Sequence, residues 1–198
     1  TKKNKVFFIP NHALPRKIPN KNSKKIILSV GRLHPQKGYP ELIKAYSLSK
    51  ASFKNWKLVI IGKGPEKKKL KILVTNLKLK NKIFFQGFVD PYYWYNKSSL
   101  FVLSSRFEGA PNALLEAMSM RLPVIITNSC PGGMYYVKNN VSGLVVPGAN
   151  IHALKNAINK IINDKSLRNK IANGAVKSIK RLADHKKIFK QWDQSVFN

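Results

Sequence analysis

Acidic residues are scarce in this sequence: 8 Asp and Glu stand against 37 Lys and Arg, which gives a formal net charge of +29. Such a charge favours anionic partners, which include nucleic acid, an anionic membrane surface and phosphorylated substrates. Only 6 of the 37 cations are arginine, so lysine could equally replace other polar residues over the whole surface. The charge by itself therefore leaves the partner open.

Cysteine, histidine and long apolar runs are also rare. The single cysteine, Cys130, excludes an internal disulfide and suits a reducing compartment. No run approaches the roughly 18 apolar residues of a membrane span, and the first residues have no signal-peptide core. We therefore expect a cytoplasmic protein, at most peripheral on the inner face of a membrane. The histidines show no metal-ligand spacing, so we expect no metal: His12, His34, His152 and His185.

What the sequence does contain is a regular alternation of apolar runs and amphipathic segments. Ile26–Val30 is almost continuously apolar, as expected of a parallel strand that is buried on both faces. About six alternations with short loops predict an α/β fold with a Rossmann-like, doubly wound parallel sheet. The predicted strands are Ile26–Val30, Trp56–Ile61, Lys82–Gln86, Leu100–Ser104, Pro123–Thr127 and Gly143–Val146.

Three segments can be distinguished along the chain. Residues 1–23 combine an apolar strand with a linker rich in Pro, Lys and Asn, and we interpret them as an interdomain arm. Residues 24–182 form the Rossmann-like domain, and residues 183–198 form a terminal helix. The predicted helices are 39–49, 66–77, 90–98, one that begins at Pro111, a short one after a glycine turn at Gly132-Gly133, 151–163, 165–181 and 184–197.

The segment Phe107–Met118 joins a predicted strand to a predicted helix. Gly109 supplies turn freedom, and Pro111 suits the first helical position, where its lack of an N–H has no cost. A helix N-terminus at the end of a strand is a natural anion site. Glu108 and Glu116, two of the four glutamates, lie on either side of this turn. Glu116 alone could be a solvated helix residue and Glu108 could merely complement the helix dipole, but the two together favour a polar site.

Two further strand-end loops carry cations or backbone groups suited to a ligand. Arg32 and Lys37 flank the loop after the first buried strand, and together with free helix amides they suit a diphosphate. A carboxylate such as Glu116 can accept both hydroxyl hydrogens of a ribose. The turn Gly87-Phe88-Val89 could hold a base through its backbone, and could equally be an ordinary turn between strand and helix.

Four motifs follow one another along the chain: Gly31-Arg32-Leu33 with Gln36-Lys37-Gly38, Phe85-Gln86-Gly87-Phe88-Val89, Ser104 to Glu108 with Gly109 and Pro111 to Met118, and Asn140 to Pro147. Together they resemble glycosyltransferase family four, which contains retaining, nucleotide-sugar-dependent enzymes of GT-B fold. The resemblance covers about residues 5 to 197. The form with Pro-Asn after Glu-Gly is most similar to bacterial enzymes that extend lipid-linked or surface glycans.

The resemblance implies a role for each motif. Arg32 and Lys37 would bind the donor diphosphate and neutralise the leaving group. Glu108 would contact the hydroxyls of the donor sugar, and Glu116 would contact the ribose. No protein nucleophile, metal or other cofactor is implied. The implied donor-binding residues are Gly31, Gly87, Phe88, Val89, Gly109, Ala110, Pro111, Asn112, Ala113, Leu115 and Glu116.

The resemblance also implies a companion domain. GT-B enzymes have two Rossmann-like domains with the active site between them, and this chain resembles the C-terminal, donor-binding half. The implied activity is transfer of a hexose-type sugar from a UDP- or GDP-sugar to a glycan or lipid-linked acceptor in bacterial surface polysaccharide or glycoconjugate synthesis. The half alone is expected to be inactive. Its last helix would pack against the N-terminal domain. Without that domain, Ile188, Trp192 and Val196 would lack their native partners.

Two positions depart from the family pattern. Tyr136 stands where many relatives have an acid in a second Gly-rich motif, and Ala110 stands where Phe is common. Both positions are expected near the donor pocket, so the identity of the sugar stays open.

The alternative function is a basic, nucleic-acid-binding α/β module, which the charge of +29 favours. Lysine is present in every segment rather than in one stripe, and we find no RNA- or DNA-binding motif. We therefore do not expect nucleic acid to be the partner.

Overall fold

The fold is built on six short strands whose side chains are mostly buried. The computed structural model describes residues 11, 24–109, 111–184, 186, 188–190 and 193. All the strand pairs of this sheet are parallel. The strands are β1 (Ile26–Val30), β2 (Lys57–Ile61), β3 (Ile83–Gly87), β4 (Leu100–Leu103), β5 (Val124–Thr127) and β6 (Leu144–Val146).

The strand order is β3-β2-β1-β4-β5-β6, so the direction of winding reverses between β1 and β4. Ile27 of β1 lies beside Leu58 of β2 on one side and beside Leu100 of β4 on the other. Open α/β sheets bind ligands at the carboxyl ends of their strands, next to such a reversal. The predicted doubly wound sheet is confirmed, and its reversal brings the loops after β1 and β4 together.

Helices cover both faces of the sheet. Helices α1, α2 and α6 pack on the face to which Ile27 and Leu58 contribute, whereas α3, α4, α5 and α7 pack on the face of Leu28 and Val59. This double cover explains why the strands read as continuous apolar runs. The helices are α1 (Tyr39–Leu48), α2 (Lys67–Asn76), α3 (Tyr92–Lys97), α4 (Asn112–Ser119), α5 (Pro131–Tyr136), α6 (Ile151–Asn163) and α7 (Lys165–Leu182), and short 3-10 turns span Pro35–Lys37 and Lys50–Ser52.

The predicted ends of the strands and of the last two of these helices are accurate. The observed strand ends differ from the predicted ones by at most one residue, and α6 has the predicted bounds. The side-chain carbonyl of Asn150 caps α6 by accepting the N–H of Ala153 at 2.9 Å. A carboxylate oxygen of Asp164 accepts the N–H of Leu167 at 2.8 Å and so begins α7. Local capping residues therefore fix these helix starts.

Two predicted details at helix starts are wrong. Pro111 precedes α4 as its N-cap, because its ψ of 82° is not helical, and Asn112 is the first helical residue. Gly132 and Gly133 lie inside α5 instead of forming a turn before it. A β-carbon at Gly132 would lie 1.5 Å from the carbonyl oxygen of Gly109. The glycine is therefore explained by close helix–loop packing rather than by turn geometry.

Little of the two predicted terminal segments is described. Of the arm of residues 1–23, the structure describes Asn11. The predicted strand before Asn11 lies outside the described residues. The side chain of Ile188 is 3% exposed and thus buried within this chain; its contact with a companion domain stays a prediction. Trp192 and Val196 lie outside the described residues. Within the described part of the chain, no helix is both long enough and apolar enough to span a bilayer.

Candidate functional site

Residues 36–38, in the loop after β1, and residues 104–109, in the loop after β4, are joined by hydrogen bonds; we call these two segments the cross-linked loops. Gln36 makes two of these bonds. Its carbonyl oxygen accepts the N–H of Arg106 at 2.7 Å, and its side-chain amide donates to the carbonyl oxygen of Phe107 at 2.8 Å. The two loops therefore have one fixed relative position at the reversal of the sheet.

The cross-linked loops also approach each other closely at Gly38. This residue has a left-handed φ of 63°, and a β-carbon there would lie 2.1 Å from the carbonyl oxygen of Ser104. The Ser104 hydroxyl donates to the carbonyl oxygen of Lys37 at 2.9 Å. Only glycine fits here, because the position demands both the unusual φ and the absence of a side chain. The turn directs Lys37 toward the end of β4.

Lys37 and Glu108 form a partly buried ion pair between the loops. The ammonium nitrogen of Lys37 lies 2.6 Å from Oε2 of Glu108, and the two side chains are 18% and 12% exposed. The Ser105 hydroxyl donates to the same carboxylate oxygen at 3.1 Å. An ammonium group has three donors, so Lys37 can bind Glu108 and an anionic ligand at the same time. The structure thus brings together two residues that the sequence analysis assigned to one site.

The start of α4 adds backbone donors to this edge. The first N–H groups of a helix have no intrahelical acceptor, and in α4 these belong to Asn112 and Ala113. The side-chain carbonyl of Asn112 accepts a hydrogen bond from the side-chain amide of Asn11 at 2.6 Å. The arm of the chain therefore touches the helix start at Asn11.

The side chain of Leu115, one of the implied donor-binding residues, is buried. Leu115 is 1% exposed, and its N–H donates to the carbonyl oxygen of Pro111 at 3.3 Å. The structure thus places Leu115 in the core beneath the helix start. Ala110 lies outside the described residues.

Glu116 lies one turn further along α4 and is held by a tyrosine of α3. The hydroxyl of Tyr95 donates to Oε2 of Glu116 at 2.9 Å and lies 3.2 Å from the carbonyl oxygen of Ala113. Burial raises the pKa of Tyr95 well above its ordinary value, and the charge of Glu116 raises it further. Tyr95 therefore stays protonated and acts as a hydrogen-bond donor to the carboxylate.

A second region, which we call the open cleft, lies at the ends of β1, β2 and β3. It has a volume of about 860 Å³. Phe88 projects from its wall with 82% of its surface exposed, and the Lys63 ammonium lies 6.0 Å from the centre of the Phe88 ring. Arg32 and Lys63 are cations of its wall. The lining residues are Val30, Gly31, Arg32, Ile61, Gly62, Lys63, Gly64, Phe88, Val89, Asp90 and Pro91.

The predicted turn at Gly87 supports one wall of the open cleft. Gly87 has a left-handed φ of 75°, and its carbonyl oxygen accepts the N–H of Gly62 at 2.7 Å. Phe88 and Val89 follow it and line the cleft. The structure therefore divides the two predicted cations: Arg32 lies in the open cleft, whereas Lys37 lies in the cross-linked loops.

Helix α5 packs behind the cross-linked loops. Tyr136, the residue in place of an acid, is buried, and its hydroxyl donates to the carbonyl oxygen of Asn11 at 2.9 Å. Burial raises the pKa of Tyr136 to about 12 and that of the Cys130 thiol to about 11. Both groups are therefore neutral at physiological pH, and they support the site from below rather than adding charge to it.

The site offers no metal-binding cluster among the residues that the structure describes, where no three His, Cys, Asp or Glu side chains converge. Its charged chemistry comes from Lys37, Arg32 and the two glutamates. Positive groups and helix amides suit an anion, while carboxylates suit hydroxyl groups. The arrangement therefore fits a ligand with both a phosphate and a polyhydroxyl part.

Three contributors to the site were not singled out from the sequence. Tyr95 resembled any aromatic residue of a short amphipathic helix, and Lys63 was one lysine among many. Gln36 was part of a quoted motif but was given no role. Their importance depends on neighbours far away in the sequence, such as Glu116, which is 21 residues from Tyr95.

Comparison with known proteins is consistent with this geometry. The family model described as Glycosyl transferases group 1 matches residues 11–178. The Campylobacter jejuni protein named N-acetylgalactosamine-N,N'-diacetylbacillosaminyl-diphospho-undecaprenol 4-alpha-N-acetylgalactosaminyltransferase is 34% identical over 152 residues, which cover 76% of this chain and 41% of that protein. The chain spans less than half the length of such curated relatives.

Solved structures share the fold. One of them is TarM of Staphylococcus aureus, in a structure that contains UDP. Its superposition on this chain has a TM-score of 0.90 at 22% identity, and the matched region covers 100% of this chain and 40% of the TarM chain. The C-terminal domain of a group 1 glycosyl transferase, LpcC of Francisella tularensis, has a TM-score of 0.73 at 23% identity, and covers 87% of this chain and 95% of that one.

The fold and site define a Rossmann-like domain with a strand-end site for an anionic, hydroxyl-rich ligand. The chain belongs to the glycosyl transferases group 1 family, and its fold is that of the C-terminal domain of a GT-B enzyme. The family resemblance read from the four motifs is thus confirmed.

Proposed function

We propose that this chain is the donor-binding domain of a retaining glycosyltransferase. The enzyme would transfer a hexose-type sugar from a UDP- or GDP-sugar to a glycan or lipid-linked acceptor in bacterial surface polysaccharide or glycoconjugate synthesis. The relatives' names support this class, since one of them, from Campylobacter jejuni, is named for transfer to a diphospho-undecaprenol-linked glycan. TarM was solved with UDP, which supports a nucleoside diphosphate as the ligand.

One observation carries the proposal: Lys37 and Glu108 lie 2.6 Å apart at the reversal of the sheet, beside the start of α4. A phosphate contacted by Lys37 would place an attached sugar next to Glu108. The open cleft is lined by Gly31 and Arg32 of the loop that carries Lys37, and its volume of about 860 Å³ is large enough for a nucleoside. We therefore propose that a nucleotide-sugar binds in one order: base in the cleft, diphosphate between the cations, and sugar at Glu108.

The chemistry we propose is electrostatic rather than acid–base. As the bond between the sugar carbon and the diphosphate breaks, negative charge grows on the phosphate oxygen. Lys37, Arg32 and the amides of α4 would stabilise that charge. The acceptor hydroxyl would attack the same face of the sugar and pass its proton to the departing phosphate oxygen. Glu108 would hold sugar hydroxyls, and no protein nucleophile or metal takes part.

Calorimetric titration of the chain with UDP, GDP and their sugar conjugates tests the proposal. We expect binding of at least one nucleoside diphosphate, weakened by Glu116→Ala because the ribose loses its acceptor. Lys170→Ala serves as a matched control, since Lys170 is an exposed residue of α7 outside the site. Absence of binding by every nucleotide at millimolar concentration would contradict the proposal. Salt-dependent retention on random DNA without nucleotide affinity would support the alternative nucleic-acid module.

We further propose that the acceptor site belongs to a companion N-terminal domain, because the chain spans less than half the length of its curated relatives and shares the fold of a C-terminal domain. The chain alone is then expected to bind the donor and to transfer no sugar; measurable transfer would contradict this.

The charge of +29 also suits docking on an anionic membrane that carries a lipid-linked acceptor. Cosedimentation with anionic vesicles at low salt would support that docking, and its absence would count against it.

A further inference from the structure

The Glu116 carboxylate has a buried hydrogen-bond donor, the hydroxyl of Tyr95. The hydroxyl lies 2.9 Å from Oε2 of Glu116 and 3.2 Å from the carbonyl oxygen of Ala113. A peptide carbonyl has no proton, so the phenol is the donor in both contacts. The contact to the carboxylate is the shorter one, as expected of a hydrogen bond to a charged acceptor.

The ring of Tyr95 cannot move away from this position. It is 0% exposed, packs at 6.0 Å from the ring of Phe101, and meets the ring of Tyr92 edge-on at 5.7 Å. A glutamate side chain, in contrast, has several rotatable bonds and loses their freedom when it binds a ligand. A donor fixed in the core therefore reduces the number of orientations that Glu116 can adopt.

Tyr95 also connects Glu116 to the open cleft. Its N–H donates to the carbonyl oxygen of Pro91 at 2.9 Å, and Pro91 lines the cleft next to Asp90. The same residue thus touches the wall of the cleft through its backbone and Glu116 through its hydroxyl. A nucleoside with its base in the cleft would meet a carboxylate whose position is fixed relative to that wall.

We propose that Tyr95 is a positioning residue for donor recognition, whose hydroxyl orients the Glu116 carboxylate to accept the ribose hydroxyls of a nucleoside diphosphate. This inference rests on the proposed function, in which Glu116 is the ribose contact. Prior orientation strengthens binding because less conformational freedom is lost when the ligand arrives. A purely structural tyrosine would behave differently, since its loss would weaken all ligands alike.

Tyr95→Phe tests the inference, because it keeps the buried ring and removes the hydroxyl. We expect the dissociation constant for UDP to rise roughly five- to tenfold, the value of one hydrogen bond. The affinity for 2′,3′-dideoxy-UDP, which has no ribose hydroxyls, should stay unchanged. Tyr93→Phe is the matched control: Tyr93 is an exposed residue of the same helix, and this variant should bind both ligands as the unmodified chain does.

A double variant makes the test specific to the pair. If Tyr95 acts through Glu116, Tyr95→Phe should have no further effect on UDP affinity in a Glu116→Ala background. Circular dichroism and thermal unfolding show whether each variant is folded. Should Tyr95→Phe leave UDP affinity unchanged, or weaken UDP and the dideoxy analogue equally, the positioning role is wrong while the donor-binding function stands. If the unmodified chain binds no nucleoside diphosphate, the proposed function fails, and the inference fails with it.

Discussion

The cross-linked loops and the open cleft lie side by side at the carboxyl ends of the sheet, but they are packed very differently. In the cross-linked loops, Lys37, Glu108 and Gly38 are held by neighbours from two separate segments. In the open cleft, Phe88 is 82% exposed and Arg32 is an exposed cation. One region is formed before a ligand arrives, and the other leaves room for it.

This difference matches the two kinds of contact that a nucleotide-sugar would need. Charge that develops during the reaction is stabilised best by groups that do not have to reorganise. The base of a nucleotide is instead held by the shape of its pocket and by surface side chains that can adjust to it. We therefore expect substitutions in the cross-linked loops to affect stability and binding strongly, and those in the open cleft to have smaller effects.

The strongest contrast is expected between two glycines with left-handed φ. Gly38→Ala should lower the free energy of unfolding by about 3 kcal/mol, because its β-carbon meets the Ser104 carbonyl oxygen at 2.1 Å. Gly87→Ala should lower it by only about 1 kcal/mol, because Gly87 has a similar φ but no atom within 4 Å of the new carbon. Urea unfolding of the two variants measures both values. Equal losses would mean that φ alone, and not the packing of the loops, sets the cost.

A second expectation concerns alkaline pH and Cys130, which is buried behind the cross-linked loops. Burial raises the pKa of its thiol from 9.0 to about 11. The unfolded chain releases this proton first, so stability is complete below pH 9 and falls as the pH rises through 11. The loss from this group is about 2–3 kcal/mol.

Urea unfolding from pH 8 to 11 checks this expectation, with Cys130→Ala as the control. The variant has no thiol, so its stability should decline less over the same range. Parallel curves for the two proteins would exclude Cys130 as the source of the decline.

Third, the two predicted phosphate-binding cations should contribute unequally to binding. Lys37→Ala is expected to weaken UDP binding by about 2 kcal/mol, because a partly buried Lys37 is already oriented by Glu108. Arg32→Ala should cost about 1 kcal/mol, since an exposed arginine is more strongly screened by solvent. Calorimetric titration of both variants with UDP compares them. A larger loss for Arg32 would place the main phosphate contact in the open cleft and reverse our comparison.

The smallest effect is expected for Phe88→Ala. A side chain this exposed makes few packing contacts, so the free energy of unfolding should change by less than about 0.5 kcal/mol. Thermal and urea unfolding measure it. A destabilisation as large as that of Gly38→Ala would show that the ring of Phe88 is part of the packed structure.

Much of the fold could be predicted because the strands are buried on both faces. Helices on each side of the sheet leave no polar positions in strands such as β4, so such a strand is visible as an apolar run. Helix starts were placed well where a capping side chain lies next to the helix, as at Asn150 and Asp164. Pro111 was misplaced because the conformation of a residue before a helix depends on the loop that precedes it.

The sequence predicted which residues belong to the site but not which of them contact one another. Arg32, Lys37 and Glu108 lie in loops that follow strands, Glu116 lies in the helix after one of these loops, and strand ends of a parallel sheet share one edge. Which of them meet was not determined by the motifs. Lys37 and Glu108 are 71 residues apart, and their contact requires β1 and β4 to be neighbours.

The sequence by itself thus determined the elements, the sheet type, the family and the candidate residues, because each depends on local pattern or on short motifs. The tertiary structure decided which residues became partners. It paired Lys37 with Glu108, held Glu116 with the hydroxyl of Tyr95, and placed Gly132 against Gly109. Such pairings depend on strand order and helix packing, which bring distant segments within a few ångströms and leave no trace in local sequence.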